Sequence, residues 1–338
     1  MKRVLISCLL VTALICGCVQ QEKELNKTSL TIFCAGSLSI PLSDLNKEFK
    51  EYMKIKGYDV NIKLEPSGSV MAVRKITDLG RKADVLAVAD YTLISKFMYP
   101  KYADFYIAFA GNELVLCYTD SSKYSNEINS KNWFEILNRS DVKFGFSNPN
   151  IDPCGYRSVM ALKLADLYYG KSVFYNLIEV HTNIRCNGTE ILTPKDIKTD
   201  GKIVIRDKSV DLIALLESGS IDYAFEYKSV AMQHKLRFVE LPDEINLKNF
   251  SLKDWYGKVR ISIWKKENDT FVQKVIRAKP IVYGITIPKN SKNKKIAEEY
   301  VAYLLSEGRR IFTKNHQEFL DKPIAFGNVP EKLKDYVL

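Results

Sequence analysis

The sequence predicts an α/β protein of two lobes with a ligand cleft between them. Residues 30–90 alternate strand and helix in the β-α-β-α-β order of an open parallel sheet. A second strand–helix unit occupies the middle of the chain, and strand and helix material returns at its end. Three short polar turns, Ala35-Gly36-Ser37, Ser67-Gly68-Ser69 and Asp152-Pro153-Cys154-Gly155, each lead into an amphipathic helix. A helix start presents unpaired N–H groups and about half a positive charge. Three such starts predict a site where helix ends converge on a negatively charged ligand.

Leu30–Cys34 is a compact apolar strand. Leu38, Leu42, Leu45, Phe49 and Tyr52 then recur at helical spacing, with Pro41 tolerated in the first turn. Val60–Leu64 is the next strand, and Val70, Val73, Ile76 and Leu79 line the following helix, which Gly80 stops. Asp84–Asp90 reads as a buried parallel strand. Ile107–Tyr118 contains two strand-like runs around Gly111-Asn112, long enough to cross from one lobe to the other. A short helix covers Ser130–Leu137 and a strand Lys143–Phe146. Asp152 suits an N-cap and Pro153 the first helical position of a helix running to Tyr169. A loop with a small hairpin fills 187–201. Strand Ile203–Ile205, helix Val210–Glu217 and strand Ile221–Tyr227 complete the middle unit. Beyond Phe238 come a strand at Ile281–Ile287 and two helices, Ser291–Ser306 and Glu307–His316. The implied division is 29–113 plus 238–338 for lobe one and 114–237 for lobe two.

Composition excludes several classes. The chain is 46% hydrophobic and 27% charged, the balance of a globular protein. Lys2-Arg3 and the apolar run Val4–Gly17 form a secretion leader, too short for a spanning helix, which needs about 20 residues. The leader ends in Ile15-Cys16-Gly17-Cys18, resembling a lipoprotein cleavage box with Cys18 as the lipidated first mature residue. Ordinary cleavage near Gly17 is the alternative. Residues 18–28 would be a tether, and the mature chain a soluble domain at the outer face of the membrane. Loss of residues 1–17 removes two basic and no acidic residues, taking the formal charge from +10 to +8. Most basic residues alternate with Asp and Glu, and no basic–aromatic repeat or zinc-finger spacing occurs, so nucleic acid is not the partner. Cys34, Cys117, Cys154 and Cys186 read as buried thiols, with a Cys154–Cys186 disulfide as an option. His181, His234 and His316 are scattered, with no nucleophile elbow, so no enzyme class is supported and no cofactor is expected.

The motifs AGSLS–P (35–41), SGSV (67–70), RKADVLAVADYTLI (81–94), FGFSNPNIDPCGYRS (144–158), YAFEYKSVA (223–231) and PIVYGITIPKN (280–290) resemble the archaeal tungstate/molybdate-binding receptors of ABC importers. The resemblance spans residues 29–330. It implies a type II periplasmic-binding-protein fold that closes on its ligand by hinge motion, as a monomer, and presents it to a permease and its ATPase. It places the oxyanion contacts on Gly36, Ser37, Ser69, Asp152, Pro153, Cys154 and Tyr227. Ser37 and Ser69 would give hydroxyl and backbone donors, Cys154 its backbone N–H, and Tyr227 a phenolic hydrogen.

Asp152 is the unusual member, because a carboxylate repels a dianion. It makes sense if the central atom accepts another oxygen, as tungsten(VI) and molybdenum(VI) do and sulfur does not. The resemblance implies that an Asp and a Glu each add one such oxygen. The Glu position is Ser209 in this chain, and Asp207, Asp211, a hydroxyl or a water are the alternatives for filling it. A receptor for sulfate or phosphate, and a ligand-sensing lipoprotein without a transporter, remain the other functional readings.

Overall fold

The computed structural model describes residues 25–267 and 270–338. Cys18 and the leader lie outside the described residues. The first strand, β1, runs Asn26–Ala35, so residues 26–28 of the expected tether are already strand.

The early part of the chain is β1, α1 (Ser39–Ile55), β2 (Tyr58–Ser67), α2 (Ser69–Thr77), β3 (Val85–Val88) and α3 (Thr92–Phe97). Strand β1 lies between β2 and β3, parallel to both, as right-handed helical crossovers require. The chain next forms β4 (Phe105–Asn112) and, after Glu113 alone, β5 (Leu114–Tyr118). These two consecutive strands belong to different sheets. The apolar run at Ile107–Tyr118 therefore passes from the first sheet into the second and is buried throughout.

The middle of the chain supplies α4 (Trp133–Asn138), β6 (Phe144–Ser147), α5 (Pro153–Tyr169), β7 (Arg185–Asn187), β8 (Glu190–Leu192) and β9 (Ile203–Arg206). It continues with α6 (Ile213–Glu217), β10 (Tyr223–Tyr227), α7 (Lys228–Gln233) and β11 (Arg237–Glu240). The second sheet has the order β11-β5-β10-β6-β9. Residues 209–212 form a 3₁₀ turn, so the helix expected from Val210 begins at Ile213.

The return to the first sheet is later than expected. Because β11 pairs antiparallel with β5, residues 238–240 belong to the second sheet rather than to lobe one. Helices α8 (Asp243–Asn246) and α9 (Lys253–Tyr256) follow, with α8 packed on α5. A hairpin of β12 (Arg260–Glu267) and β13 (Thr270–Arg277) then joins β8 and β7 in a small third sheet that periodicity did not reveal. Only at β14 (Ile281–Thr286) does the chain re-enter the first sheet, whose full order is β15-β4-β14-β3-β1-β2, with β15 at Phe319–Gly327. The two expected C-terminal helices are one, α10 (Lys294–Lys314). Its buried stripe of Ile296, Tyr300, Leu304, Gly308 and Ile311 runs through the supposed break. Among the described residues no helix is long and apolar enough to cross a membrane.

Candidate functional site

The two larger sheets meet where the three polar turns lie. Gly36 opens a 3₁₀ turn after β1, and a side-chain carbon added there would sit 3.1 Å from Val210 of the second sheet's turn. Gly68 precedes α2 and approaches more closely. A Cβ at Gly68 would lie 2.5 Å from the Ile151 carbonyl oxygen and 3.0 Å from that of Asp207. The Val70 and Met71 N–H groups donate to the same Ile151 oxygen at 3.1 and 3.3 Å. Two N–H groups at the start of α2 thus bind the opposite lobe's backbone instead of a ligand, and the lobes are in contact.

Around this contact the predicted hydroxyls share one arrangement. Ser69 Oγ is fully buried and accepts the Ala89 N–H at 3.0 Å. Tyr227, at the end of β10, accepts an Arg157 N–H on its phenolic oxygen at 2.7 Å. Ser37 Oγ shares a hydrogen bond of 3.0 Å with Tyr283 Oη, which also accepts the Asn112 amide at 3.1 Å. For Ser69 and Tyr227 a protein donor occupies an oxygen lone pair, leaving the hydroxyl hydrogen to be given elsewhere, and Ser37 and Tyr283 share one hydrogen bond. Hydroxyls gathered at one cleft with hydrogens to give make a donor-rich site for an anion.

Asp152 occupies the N-cap position of α5, with extended backbone, but its side chain does not cap the helix. Its Oδ2 instead accepts the Ser209 N–H at 3.1 Å. Burial pushes Asp152 up to about 6, against the opposing pull of Ser147, the Ser209 N–H and Arg157. Pro153 sits at the first helical position, buried, where its missing N–H costs nothing. Cys154 is fully buried, its thiol 3.7 Å from the Phe225 carbonyl oxygen and raised well above the thiol range by burial.

The structure brings together Gly36, Ser37, Ser69, Asp152, Cys154, Ser209 and Tyr227, and does not bring in the two aspartates considered for position 209. Asp207 is exposed and presents only its carbonyl oxygen to Gly68. Asp211 pairs with Lys208 at 3.1 Å at the surface. The optional disulfide is also absent. Cys154 and Cys186 are free thiols, Cys186 lying on β7 in the third sheet while Cys154 faces β10.

Arg157, Asp90, Glu226, Tyr283 and Asn112 also lie at this contact, though no sequence motif singled them out. Arg157, only 1% exposed, donates to the Ala89 carbonyl oxygen and to Tyr227, both at 2.7 Å, and lies 3.8 Å from Asp90. Asp90 accepts Tyr156 Oη at 2.7 Å and Lys279 Nζ at 2.7 Å, which ties α5 to the first sheet. Burial pushes Asp90 up, but Lys279 and Arg157 outweigh it and hold the carboxyl far below its ordinary range. Glu226 lies inside the fully buried strand β10, and Tyr283 with Asn112 supports Ser37. The available signal was a charge within an apolar element: Arg157 on a helix buried on every side over 153–162, and Glu226 between Phe225 and Tyr227.

A family model described as bacterial extracellular solute-binding protein matches residues 30–317. The molybdate/tungstate-binding protein WtpA of Pyrococcus abyssi is 54% identical over 98% of this chain and 97% of its own. The protein of the same name from Thermococcus kodakarensis is 52% identical over 97% and 94%. Among solved structures, the periplasmic molybdate-binding protein of Azotobacter vinelandii superposes with a TM-score of 0.56, covering 85% of this chain and 98% of that one. At 16% identity that likeness speaks for the fold alone, the two-lobed type II periplasmic-binding-protein fold. With a match across residues 30–317 and identity above one half to a full-length relative, the chain belongs to the bacterial extracellular solute-binding protein family.

Proposed function

We propose that this chain is the receptor of an ABC importer that captures tungstate and molybdate outside the cell and hands the oxyanion to a membrane permease and its ATPase. In this reading it works as a monomer, is held at the membrane by a lipid on Cys18, and performs no chemistry on its ligand. The observation that carries the reading is the set of buried hydroxyls of Ser37, Ser69 and Tyr227 where the two sheets meet near the buried Asp152 carboxyl. Ser69 and Tyr227 each accept a protein donor and so keep a hydrogen to give. Relatives of more than 50% identity named for these two anions support the choice of ligand.

The physical steps follow from the residues. In the open form the first lobe offers Ser37 and Ser69, and the second offers Asp152, the start of α5 and Tyr227. An oxyanion bridges both sets and shifts the population toward the closed form, since it contacts both lobes only there. Each hydrogen bond to the charged ligand contributes about 1.5–3 kcal/mol, so several suffice for tight binding without a lysine. Asp152 favours a centre that can take a further oxygen and disfavours sulfate.

Calorimetric titration of the leaderless chain with tungstate, molybdate and sulfate tests this. Tight binding of the first two and none of sulfate is expected. Asp152→Ala should weaken tungstate by about tenfold or more, corresponding to about 1.4 kcal/mol, and by more than it weakens any residual sulfate binding. Tight binding of sulfate or phosphate would overturn the ligand assignment, and equal losses for both anions in Asp152→Ala would overturn the role of its carboxylate.

A further inference from the structure

We propose that Glu226 is an additional contact of the bound oxyanion, donating its carboxyl hydrogen from Oε2 into the cleft beside Tyr227. This deepens the receptor reading and rests on it.

Glu226 is only 2% exposed, in a strand whose five residues are all buried. Its Oε1 accepts the Tyr227 N–H at 2.8 Å, with the Cys154 thiol 3.9 Å away. Its Oε2 is buried and makes no hydrogen bond of normal geometry, although the Ser209 side chain lies near enough to favour the charged carboxyl. A buried carboxyl oxygen without a partner is costly, and a charged one far more so. The groups around it do not compensate a charge. They are Asp152 and Cys154 from α5, Ser209 from the turn after β9, Cys117 from β5 and Tyr283 from β14. None is a cation; Arg157 donates through Nη1 to Ala89 and Tyr227, while its buried Nη2, 3.8 Å from Asp90, makes no hydrogen bond.

Burial, reinforced by the Asp152 charge, outweighs Ser209 and the Tyr227 N–H and pushes Glu226 up to about 8. At neutral pH the group therefore keeps its proton. A neutral carboxyl that accepts on one oxygen carries an O–H on the other, comparable to Ser69 and Tyr227, which accept a protein donor and keep a hydrogen to give. Facing a dianion, an ionised Glu226 repels, whereas a protonated one supplies a further donor. No covalent bond forms or breaks, and the hydrogen stays shared between Glu226 and an oxygen of the anion. Affinity should accordingly fall once the pH exceeds the point at which Glu226 loses its proton.

Lys279 also bears on pH dependence. Burial brings it down to about 8 against the attraction of Asp90. It faces Asp90 rather than Glu226, so a variant at position 226 separates the two.

The test is calorimetric titration with tungstate between pH 6 and pH 9.5 of the wild type, Glu226→Gln and Glu226→Leu. Tungstate is fully deprotonated across that range. The wild type should bind with constant affinity to about pH 8 and then lose up to about tenfold per pH unit. Glu226→Gln keeps an acceptor for the Tyr227 N–H and an N–H donor for the cleft. It should bind within about threefold of wild type at pH 7 and lose the steep alkaline fall. Glu226→Leu should bind about tenfold or more weakly at pH 7. Wild-type affinity in Glu226→Leu, or an equal loss in both variants, would overturn the proposal. So would an alkaline fall unchanged in Glu226→Gln. If the leucine variant does not fold, the wild-type and glutamine profiles decide. Wild-type binding that stays flat to pH 9.5 overturns this proposal alone, and wild type that binds no tungstate at any pH overturns the receptor reading with it.

Discussion

Gly68→Ala separates closure of the cleft from its chemistry. Gly68 has φ −56° and ψ 140°, a conformation open to alanine, so the substitution brings no strain to its own backbone. The obstacle is across the cleft, where the new carbon would lie 2.5 Å from the Ile151 carbonyl oxygen. An ordinary carbon–oxygen contact is about 3.3 Å, so the loops must part by about 0.8 Å. The hydrogen bonds from Val70 and Met71 to that oxygen, now 3.1 and 3.3 Å, would then stretch beyond useful length. Two backbone hydrogen bonds at about 0.5–1.5 kcal/mol each put the loss from the closed form at roughly 1–3 kcal/mol, a fall in affinity of roughly 5- to 150-fold. Calorimetry with tungstate and molybdate reads the affinity, and small-angle scattering with saturating ligand reads the closure. Ligand-free thermal unfolding should be unchanged or slightly improved, since alanine restricts the unfolded chain. Wild-type affinity together with wild-type compaction would refute the reasoning, because the lobes would then close without this approach.

The ligand-free protein should lose stability as pH rises from about 4 to about 8. Asp152 and Glu226 have folded values raised from 3.8 to about 6 and from 4.5 to about 8, so the folded chain retains protons that the unfolded chain has released. At 1.36 kcal/mol per unit the ceilings are about 3 and about 5 kcal/mol, the first lost across pH 4–6 and the second across pH 4.5–8. Urea unfolding along that range checks it, and Asp152→Asn combined with Glu226→Gln should flatten the profile. A wild-type profile that rises with pH would contradict the assignment. Tyr283→Phe removes the hydroxyl joining Asn112 to Ser37 and should cost about 1 kcal/mol of stability. It should also weaken tungstate severalfold, read by the same titration, and unchanged affinity would show that Ser37 needs no such support.

Much of the architecture was legible because burial leaves a period in the sequence. The β-α-β-α-β opening is visible in Leu30–Cys34, the stripe from Leu38 to Tyr52, and Asp84–Asp90. The crossing at Ile107–Tyr118 shows as an apolar run too long for one sheet. The hairpin of β12 and β13 was not legible, because Lys265, Lys266 and Glu267 end one strand in charge and β13 alternates largely exposed residues. The partner of β11 was hidden for a different reason: a four-residue strand carries no information about which sheet it joins. At the candidate site, small polar residues at helix starts pointed to Ser37, Ser69 and Asp152, which lie where the two sheets meet. Asp207 and Asp211 were plausible by position alone, and their side chains face solvent or Lys208. Glu226 and Arg157 were overlooked because propensity treats a charge within an apolar segment as noise, whereas burial makes it a commitment.

The single residue between β4 and β5 has a consequence for affinity. Each lobe alone is half of a chelating host, offering a few donors that would hold a small anion weakly. Glu113, buried and paired with Lys228 at 3.0 Å and Lys248 at 3.3 Å, is the whole link between these two strands, which makes the tether short. A short tether keeps the effective concentration of one half at the other high, so the second set of bonds forms with little further loss of freedom. Lengthening the chain at this point would leave every donor in place and still dilute the host.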